Sequence, residues 1–289
     1  MEWTRAKNII IILLLVTNAI LFTMIYKNNE KYRLSRVQQE SIVKVLENND
    51  IIYNAEMIKT FKPMKKIDLM PYSFDHEQLK KKFFDNPDDC KEEIKPDGDV
   101  VIYHHEDNGT LYIYPQGFRF ISVIEESSED INVDKAKALC NELIKSFGNE
   151  FANFKYDEEI ILNNSNRRFI FREHYKGYVI ESNFIDFTVN NNGILYIDCN
   201  YLKVDGFSEE PKLEISSPLD ALMYYVRQKT SYGIQDTVTI DRVSIVYSYD
   251  AKPYDNNHQA WPFYHMIINI GGSSESVLFN AYTKTSEVK

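Results

Sequence analysis

Three short stretches have residue types and spacings that belong to serine acyl-transfer enzymes. Ser41 and Lys44 form an S-x-x-K pattern, and residues 229–231 and 284–286 both read Lys-Thr-Ser where those enzymes have Lys-Thr-Gly. In penicillin-binding enzymes and β-lactamases these motifs supply the serine nucleophile and its neighbouring lysines. The Ser-Asp-Asn motif that belongs between them is absent, and Ser41 falls in a short segment close to an apolar stretch. We therefore predict no active site from these motifs.

The histidines and cysteines lack the spacing of a metal or redox site. The six histidines contain neither H-E-x-x-H nor H-x-H, and His104 and His105, adjacent on a predicted strand, would point to opposite faces. The three cysteines contain no C-x-x-C. Cys140 lies on the apolar stripe of a predicted helix and Cys199 in an aromatic strand, so both are interpreted as core residues. We expect no metal and no cofactor.

Acidic and glycine-rich runs offer two further kinds of chemistry. Paired carboxylates at residues 125–126, 129–130 and 157–159 could in principle act on a sugar, as in glycosidases. They stand at the ends of predicted elements, where solvated charge is the usual explanation. The Gly-Gly-Ser-Ser run at residues 271–274 follows a strand but precedes no lysine-bearing helix, so it predicts a hairpin and not a phosphate loop. We predict that the chain is not an enzyme.

The N-terminal segment is the strongest signal in the sequence. Residues 9–26 carry no charge and, as a helix rising about 1.5 Å per residue, would span roughly the hydrocarbon thickness of a bilayer. Lysines and arginines flank the segment on both sides, which is unusual for a buried core helix. A cleaved signal peptide is the alternative, but residues 22–26 offer no Ala-x-Ala-like site. We predict a short tail over residues 1–8 and an uncleaved transmembrane helix over residues 9–26.

The net charge of the rest of the chain argues against a nucleic-acid partner. Residues 37–289 hold 27 basic and 41 acidic residues, a net charge of −14. Nucleic-acid binding requires clustered Lys and Arg, so a nucleic-acid partner is not expected. Two cations precede the span and four follow it, which alone would place the C-terminus inside. Because long domains translocate largely regardless of flanking charge, the charge rule leaves the orientation open.

The predicted span contains polar residues at mid-depth. Thr17 and Asn18 stand next to the small Ala19. The amide of Asn18 would either be bonded locally or form a hydrogen bond with a second transmembrane helix. Thr17, Asn18 and Ala19 are therefore the candidate contact with a membrane partner.

The remaining sequence predicts an α+β fold in which a helix is followed by an antiparallel meander three times. An amphipathic helix over residues 30–49 would form a juxtamembrane stalk within residues 27–50. Later helices are predicted after Asp75, Asn132 and Ser217, each a favourable N-cap. Asn192-Gly193 predicts a tight hairpin with two positive φ angles. We divide the extracytoplasmic part into domains at residues 51–130 and 131–289, the second with two helix-plus-sheet units.

Three stretches resemble the YycI (WalI) family. Residues 1–9, Met-Glu-Trp-Thr-Arg-Ala-Lys-Asn-Ile, resemble the family's "(D/E)W-(S/T)-(K/R)-x-K-x-I" entry to the span. Residues 175–193 resemble its "y.G.pI…v.v…G.v" sheet. Ala260-Trp261, followed by residues 279–283, resembles the terminal "AW…VNAyTG", although Lys284 stands where Gly is usual. With the chain length and the single anchor, the resemblance covers nearly the whole sequence.

The resemblance implies a regulator. YycI proteins have a cytoplasmic N-terminus, one membrane span and an extracytoplasmic domain, and with the related YycH they act on the WalK (YycG) sensor histidine kinase of cell-wall metabolism. Their paired sheet modules are similar to PepSY domains. The expected partners are thus the kinase, a YycH-like protein and the cell membrane, with the N-terminus inside and the C-terminal domain outside. Trp261 and Tyr282, within the terminal motif, are candidate contacts for an extracytoplasmic partner.

Another class of function remains open. A PepSY-like extracytoplasmic module could instead inhibit an exported peptidase or sense a cell-wall ligand. A neighbouring peptidase gene would favour that alternative, whereas genes for a histidine kinase and response regulator would favour the regulator.

Overall fold

A computed structural model describes residues 2–96, 99–125, 127, 129–249, 258–282 and 286–288. The helices are α1 Glu2–Lys31, α2 Arg36–Glu47, α3 His76–Phe83, α4 Val133–Ser146 and α5 Pro218–Ser231, with 3₁₀ turns at Pro87–Asp89 and Asn149–Phe151. The strands are β1 Ile51–Tyr53, β2 Ile67–Pro71, β3 Lys91–Ile94, β4 Val101–His105, β5 Gly109–Tyr114, β6 Gly117–Ser122, β7 Phe154–Ile161, β8 Arg167–Tyr175, β9 Tyr178–Asn190, β10 Gly193–Asn200, β11 Leu202–Phe207, β12 Val238–Ser248, β13 Gln259–Ile270, β14 Ser273–Asn280 and β15 Ser286–Val288. The chain is therefore α+β.

Two compact units are built from interleaved segments. Unit 1 comprises Met1–Met64, Lys212–Ser244 and Pro262–Lys289, and unit 2 comprises Lys65–Pro211 and Ile245–Trp261. The predicted boundary near residue 130 falls within the Lys65–Pro211 segment of unit 2 and stays a prediction. β12 and β13 each contribute residues to both units, so no single cut in the chain separates the two units.

The N-terminal apolar segment forms one helix that is longer than predicted. The helix continues on both sides of residues 9–26, from Glu2 to Lys31. Its Arg5–Lys31 portion is long and apolar enough to cross a membrane, and none of its most apolar stretch is buried within the chain. Just beyond, Lys31 Nζ and the Tyr32 hydroxyl both donate to Glu214 Oε1 of unit 1, at 2.6 and 2.8 Å.

The expected stalk over residues 27–50 is not a continuation of α1. After Lys31, Arg33 forms an isolated β-bridge with Thr60, and a new helix starts at Arg36. Ser35 begins α2 with a capping box in which its hydroxyl accepts from Gln38 N–H. Ile42 and Leu46 of α2 are buried in the core of unit 1. The second helix is amphipathic because it packs on a sheet, not because it rises from a membrane.

In unit 1, α2 and α5 share one core with a sheet. The strand order of this sheet is β1–β12–β13–β14–β15. β1 runs parallel to β12, whereas β14 runs antiparallel to both β13 and β15. Ser217 caps α5 as predicted, through a capping box with Asp220, and Pro218 occupies the first turn of the helix. The buried core of this unit comprises Ile42, Leu46, Ile51, Leu222, Tyr225, Val226, Val238, Ile240, Met266, Ile268 and Val277.

Unit 2 is an antiparallel sheet in the order β3–β4–β5–β6–β10–β9–β8–β7. The end of β12 pairs with the start of β9 in parallel, and β11, β2 and β13 form a further antiparallel ladder. The sheet structure of the chain is thus mixed, and the expectation of purely antiparallel sheets is wrong at β1–β12 and β12–β9. Both parallel pairings link strands far apart in sequence, which local hairpin signals do not report.

The core of unit 2 is dominated by aromatic side chains beneath α3 and α4. Asp75 and Asn132 cap these helices as predicted, accepting from the backbone N–H groups of Gln78 and Lys135. Phe118, Phe151 and Phe169 are among its fully buried residues. At the β9–β10 hairpin, positive φ occurs at Gly193 (143°) but not at Asn192, so the prediction of two positive φ angles is wrong there.

Gly117 is required where β6 meets β10. A Cβ atom at this position would lie 1.9 Å from the backbone carbonyl oxygen of Cys199, a neighbour that cannot rotate away. We expect Gly117→Ala to lower the free energy of unfolding by about 2–4 kcal/mol, because the two strands must separate locally. Denaturant unfolding of the purified chain measures the change.

Gly177→Ala is the matched control. Gly177 has a positive φ, 89°, which Gly117 does not, but an added Cβ there would meet open space, so only about 1 kcal/mol of conformational cost is expected. Equal losses in the two variants would show that close strand approach at Gly117 is not what matters.

Candidate functional site

The lysine of one Lys-Thr-Ser stretch has a structural role. Lys229 on α5 is 5% exposed, and its ammonium donates to the carbonyl oxygens of Asn49 at 2.7 Å and Asp50 at 3.1 Å, in the turn that follows α2. Ser41 is exposed on α2, and residues 284 and 285 lie outside the described residues. Lys229 therefore satisfies backbone carbonyls at a helix end, a favourable use of a cation there.

The histidines and cysteines that the structure describes make packing contacts. His105 stacks on Phe84 with ring centroids 5.6 Å apart, and Nε2 of His265 lies 2.7 Å from the Ser276 hydroxyl. Among the described residues, no three His, Cys, Asp or Glu side chains converge as metal ligands do. Burial raises the pKa of the Cys140 thiol to about 12 and also raises that of Cys199, so neither is a ready thiolate.

The polar residues of α1 differ in how they are satisfied. The Thr17 hydroxyl donates to the Leu13 carbonyl oxygen at 2.9 Å, within the same helix. The side-chain amide of Asn18 forms no hydrogen bond with any residue in the described part of the chain, and Ala19 beside it is small and exposed. An amide without partners in hydrocarbon costs free energy, so the side chain of Asn18 is the group on this helix best suited to a second polar group.

Trp261 and Tyr282 are both half-buried and contact their own units. In unit 2, Lys66 Nζ lies 5.3 Å from the Trp261 ring centroid, a cation–π geometry. In unit 1, the Tyr282 hydroxyl donates to the Met64 carbonyl oxygen at 2.8 Å. Their role in contacting an extracytoplasmic partner stays a prediction.

The acidic run at residues 157–159 belongs to a buried ion-pair cluster on unit 2. Arg172 is 8% exposed and pairs with Asp157 through Nη1 and with Glu181 Oε1 at 2.8 Å through Nη2. These carboxylates therefore hold three strands, β7, β8 and β9, together through one guanidinium. The prediction of solvated charge is therefore wrong for Asp157, because the order of residues near this run does not reveal the cross-strand arginine.

A second polar cluster lies where β9 changes its neighbour. β9 pairs with β12 at Val179 and Ile180 and with β10 from Phe184 onward. The intervening residues 181–183 have no opposite residues on β8 either, because Arg172 pairs with Phe184 and the next residue, Glu173, pairs with Ile180. Residues 181–183 thus form a bulge in a continuous strand.

Side chains replace the missing ladder at this bulge. The Asn183 amide is fully buried, donates to Leu202 O at 2.7 Å and accepts from Leu202 N–H at 3.0 Å. The Ser182 hydroxyl accepts from Tyr249 N–H at 3.0 Å and lies 2.7 Å from the Ser248 hydroxyl. These bonds satisfy backbone groups that strand pairing leaves open.

Glu173 is the titratable member of this cluster. It is 4% exposed, and its Oε2 accepts from Asn183 Nδ2 at 2.6 Å. Burial raises the pKa of the Glu173 carboxyl to about 7, only partly opposed by the Asn183 hydrogen bond, and the carboxylate of Glu150 raises it further. The tyrosines at 201 and 249 are buried beside it. The Glu173 carboxyl therefore has a pKa of about 7 and lies within the core, not at a surface that a substrate could reach.

Unit 2 also contains an open cleft of about 500 Å³ lined by α3, α4, the turn before β5, and the strands β6 and β10. Its floor is apolar and includes Phe83 and Phe120, whose rings stack with centroids 4.5 Å apart. Asp107 and Glu142 stand among its lining residues. No motif in the sequence marked this cleft, since its walls come from five separate elements.

Comparison with known proteins yields a shared fold only. No protein-family model matches the chain, and no curated protein matches it. The crystal structure of an uncharacterized protein from Eubacterium rectale ATCC 33656 is similar over 83% of this chain and 89% of that chain, with a TM-score of 0.53 and 12% identity. The Bacillus megaterium YpeB C-terminal domain is similar over 76% of this chain and 98% of that chain, with a TM-score of 0.42 and 12% identity.

The first of these structures shares the α+β fold with this chain. At 12% identity the likeness carries no activity or partner. The resemblance to the YycI proteins stays a prediction.

Protonation of Glu173 gives a test of the buried cluster. The folded state holds this proton up to about pH 7, whereas the unfolded chain releases it near pH 4.5. The folded state therefore binds more protons in that window, and the free energy of unfolding falls by about 3 kcal/mol as the pH rises through it. We expect Glu173→Gln to lack this loss and to exceed the wild type in stability at pH 8.

Denaturant unfolding at pH 5 and pH 8 measures the difference. Glu92→Gln, at an exposed position on β3, is the control and should follow the wild type at both pH values. If the free energy of unfolding of Glu173→Gln had the same pH dependence as that of the wild type, the raised pKa of the buried Glu173 carboxyl would be contradicted.

Proposed function

We propose that the chain is a membrane-anchored accessory regulator of a sensor histidine kinase and that it acts through contacts, not catalysis. The observation that carries this proposal is the exposed apolar α1 helix with the unbonded Asn18 amide near its middle. A helix kept only for anchoring has no need of a polar group there. Asn18 gives the anchor a means of recognising another helix.

The partner assignments rest on the family resemblance. A sensor histidine kinase of the WalK (YycG) type is the membrane partner, and a YycH-like protein is the second. The N-terminus lies in the cytoplasm, α1 of unit 1 crosses the membrane, and the rest of unit 1 and unit 2 lie on the extracytoplasmic side. The order α3 then β3–β6, α4 then β7–β11 and α5 then β12–β15 is compatible with PepSY-like helix-plus-meander units.

Regulation then works as a population shift. The kinase has two signalling states, and a bound helix changes their ratio only by as much as its contact energies differ between them. One interhelical hydrogen bond in a membrane contributes about 0.6–2 kcal/mol. If the Asn18 bond forms in one state alone, the ratio changes by about 3- to 30-fold.

A stand-alone binding module is the second candidate, favoured by the open cleft in unit 2. Such a module would inhibit an exported peptidase or sense a cell-wall ligand, and α1 would serve as a tether only. The two functions differ in whether α1 has a specific helical partner.

Substitution of Asn18 tests the regulator. We expect Asn18→Leu to lower the amount of kinase that co-purifies from detergent-solubilised membranes by about 3- to 30-fold, because one interhelical hydrogen bond is lost. Quantitative immunoblotting of the tagged chain and the kinase provides the measurement.

Thr23→Val is the matched control on the same helix, outside the candidate contact. The Thr23 hydroxyl already donates to the Ile20 carbonyl oxygen at 2.8 Å, so kinase recovery should remain at the wild-type level. If Asn18→Leu also leaves recovery unchanged, Asn18 has no part in kinase binding and the tether alternative is favoured.

A further inference from the structure

The cleft in unit 2 has the form of a binding groove. Besides Phe83 and Phe120, its apolar walls are built by Leu139, Leu143, Ile124, Ile194 and Ile197. Leu139 and Ile124 are each 38% exposed, so part of this apolar surface faces solvent. A volume of about 500 Å³ lies in the range of pockets that hold ligands.

The groove continues past the β9–β10 turn. A smaller depression of about 170 Å³ shares Leu139, Asn192 and Gly193 with the cleft and extends it along the N-terminal half of α4. Such an elongated shape suits an extended or helical peptide segment better than a compact small molecule.

The wall beside the turn is fixed by side-chain amides. Asn190 and Asn192 both donate to the Glu125 carbonyl oxygen, at 3.1 and 3.2 Å, and Asn191 donates to the Asp130 carbonyl oxygen at 2.6 Å. Ile124 is consequently held against Gly193, where an added Cβ would approach its Cδ1 to 3.0 Å. The groove is therefore preformed, which lowers the entropic cost of binding.

The charges around the groove select the occupant. Neither Asp107 nor Glu142 forms an ion pair with another described residue, and the side chains of Glu125 and Asp130 are exposed beside the turn. The cleft is also lined by Lys82, whose Nζ donates to the Ser146 hydroxyl at 3.2 Å and to the Ser146 carbonyl oxygen. Lys135 lines the smaller depression. These two cations are outnumbered by the four acidic side chains, so the net charge of these residues is negative. An anionic lipid surface would be repelled, whereas a cationic segment would be attracted.

From the apolar floor and the acidic rim together, we propose that this groove binds an amphipathic segment of a partner protein in which leucine-like side chains are flanked by lysine or arginine. The aliphatic side chains occupy the floor beside Leu139, and the cations approach Asp107 and Glu142. This site lies on unit 2 and does not rest on the proposed contact of α1 with a kinase.

Fluorescence polarisation with a labelled synthetic peptide tests the groove. The full chain is held in nanodiscs of zwitterionic phosphatidylcholine, with empty nanodiscs as the blank. The probe is an amphipathic peptide of leucine and lysine, and its counterpart carries glutamate in place of lysine. We expect the lysine peptide to bind at least tenfold more tightly than the glutamate peptide, with an affinity that falls as salt is raised.

Two variants locate the binding. Leu139→Asp places a charge on the exposed part of the floor, and Glu142→Lys reverses the rim, so each should weaken binding of the lysine peptide at least tenfold. Both positions are exposed on α4, and unchanged thermal unfolding confirms that each variant is folded. Glu92→Lys, on the exposed strand β3, makes the same change in net charge away from the cleft lining and should bind as the wild type does.

Three results would overturn the proposal. They are equal binding of the two peptides, unchanged binding by folded Leu139→Asp, and equal weakening by Glu92→Lys and Glu142→Lys. Asn18→Leu should leave peptide binding unaltered, so failure of the groove and failure of the α1 contact give different patterns.

Discussion

The structure depends first on an apolar surface that the chain does not bury. The α1 helix runs for 30 residues, and none of its most apolar stretch is buried by the described part of the chain. Exposed to water, that surface would be costly, and the helix is long and apolar enough to cross a bilayer. Within a bilayer the side-chain amide of Asn18 would need a protein partner, because hydrocarbon, unlike water, offers it no hydrogen bonds.

Polar groups in the interior of unit 2 are also shielded from water and need hydrogen-bond partners. At the bulge of β9 the chain itself supplies these partners. There the side chains of Ser182 and Asn183 bond to backbone groups that no strand reaches, and burial raises the pKa of the Glu173 carboxyl to about 7. The buried side chains of Ser182 and Asn183 are thus paired within the chain. Asn18 differs in having no such partner among the described residues. This contrast supports the proposal that its partner belongs to another molecule.

Local sequence signals predicted the local structure well. Asp75, Asn132 and Ser217 begin helices as expected, because an N-cap depends only on its next three residues. The apolar N-terminal segment and the α+β class were also predictable. Features made by distant residues were not. The parallel pairings of β12, the cross-strand partners of Arg172 and the cleft each combine segments far apart in sequence, and the break between α1 and α2 depends on a bridge from Arg33 to Thr60.

Site-specific photo-crosslinking in intact membranes tests the central claim most directly. A photoreactive residue is placed at position 18 or at position 20, which is about 200° away around the helix. The account predicts an adduct with another membrane protein from position 18 and little or none from position 20. Equal adducts at both positions, no adduct at either, or release of the chain from membranes by alkaline carbonate would contradict it.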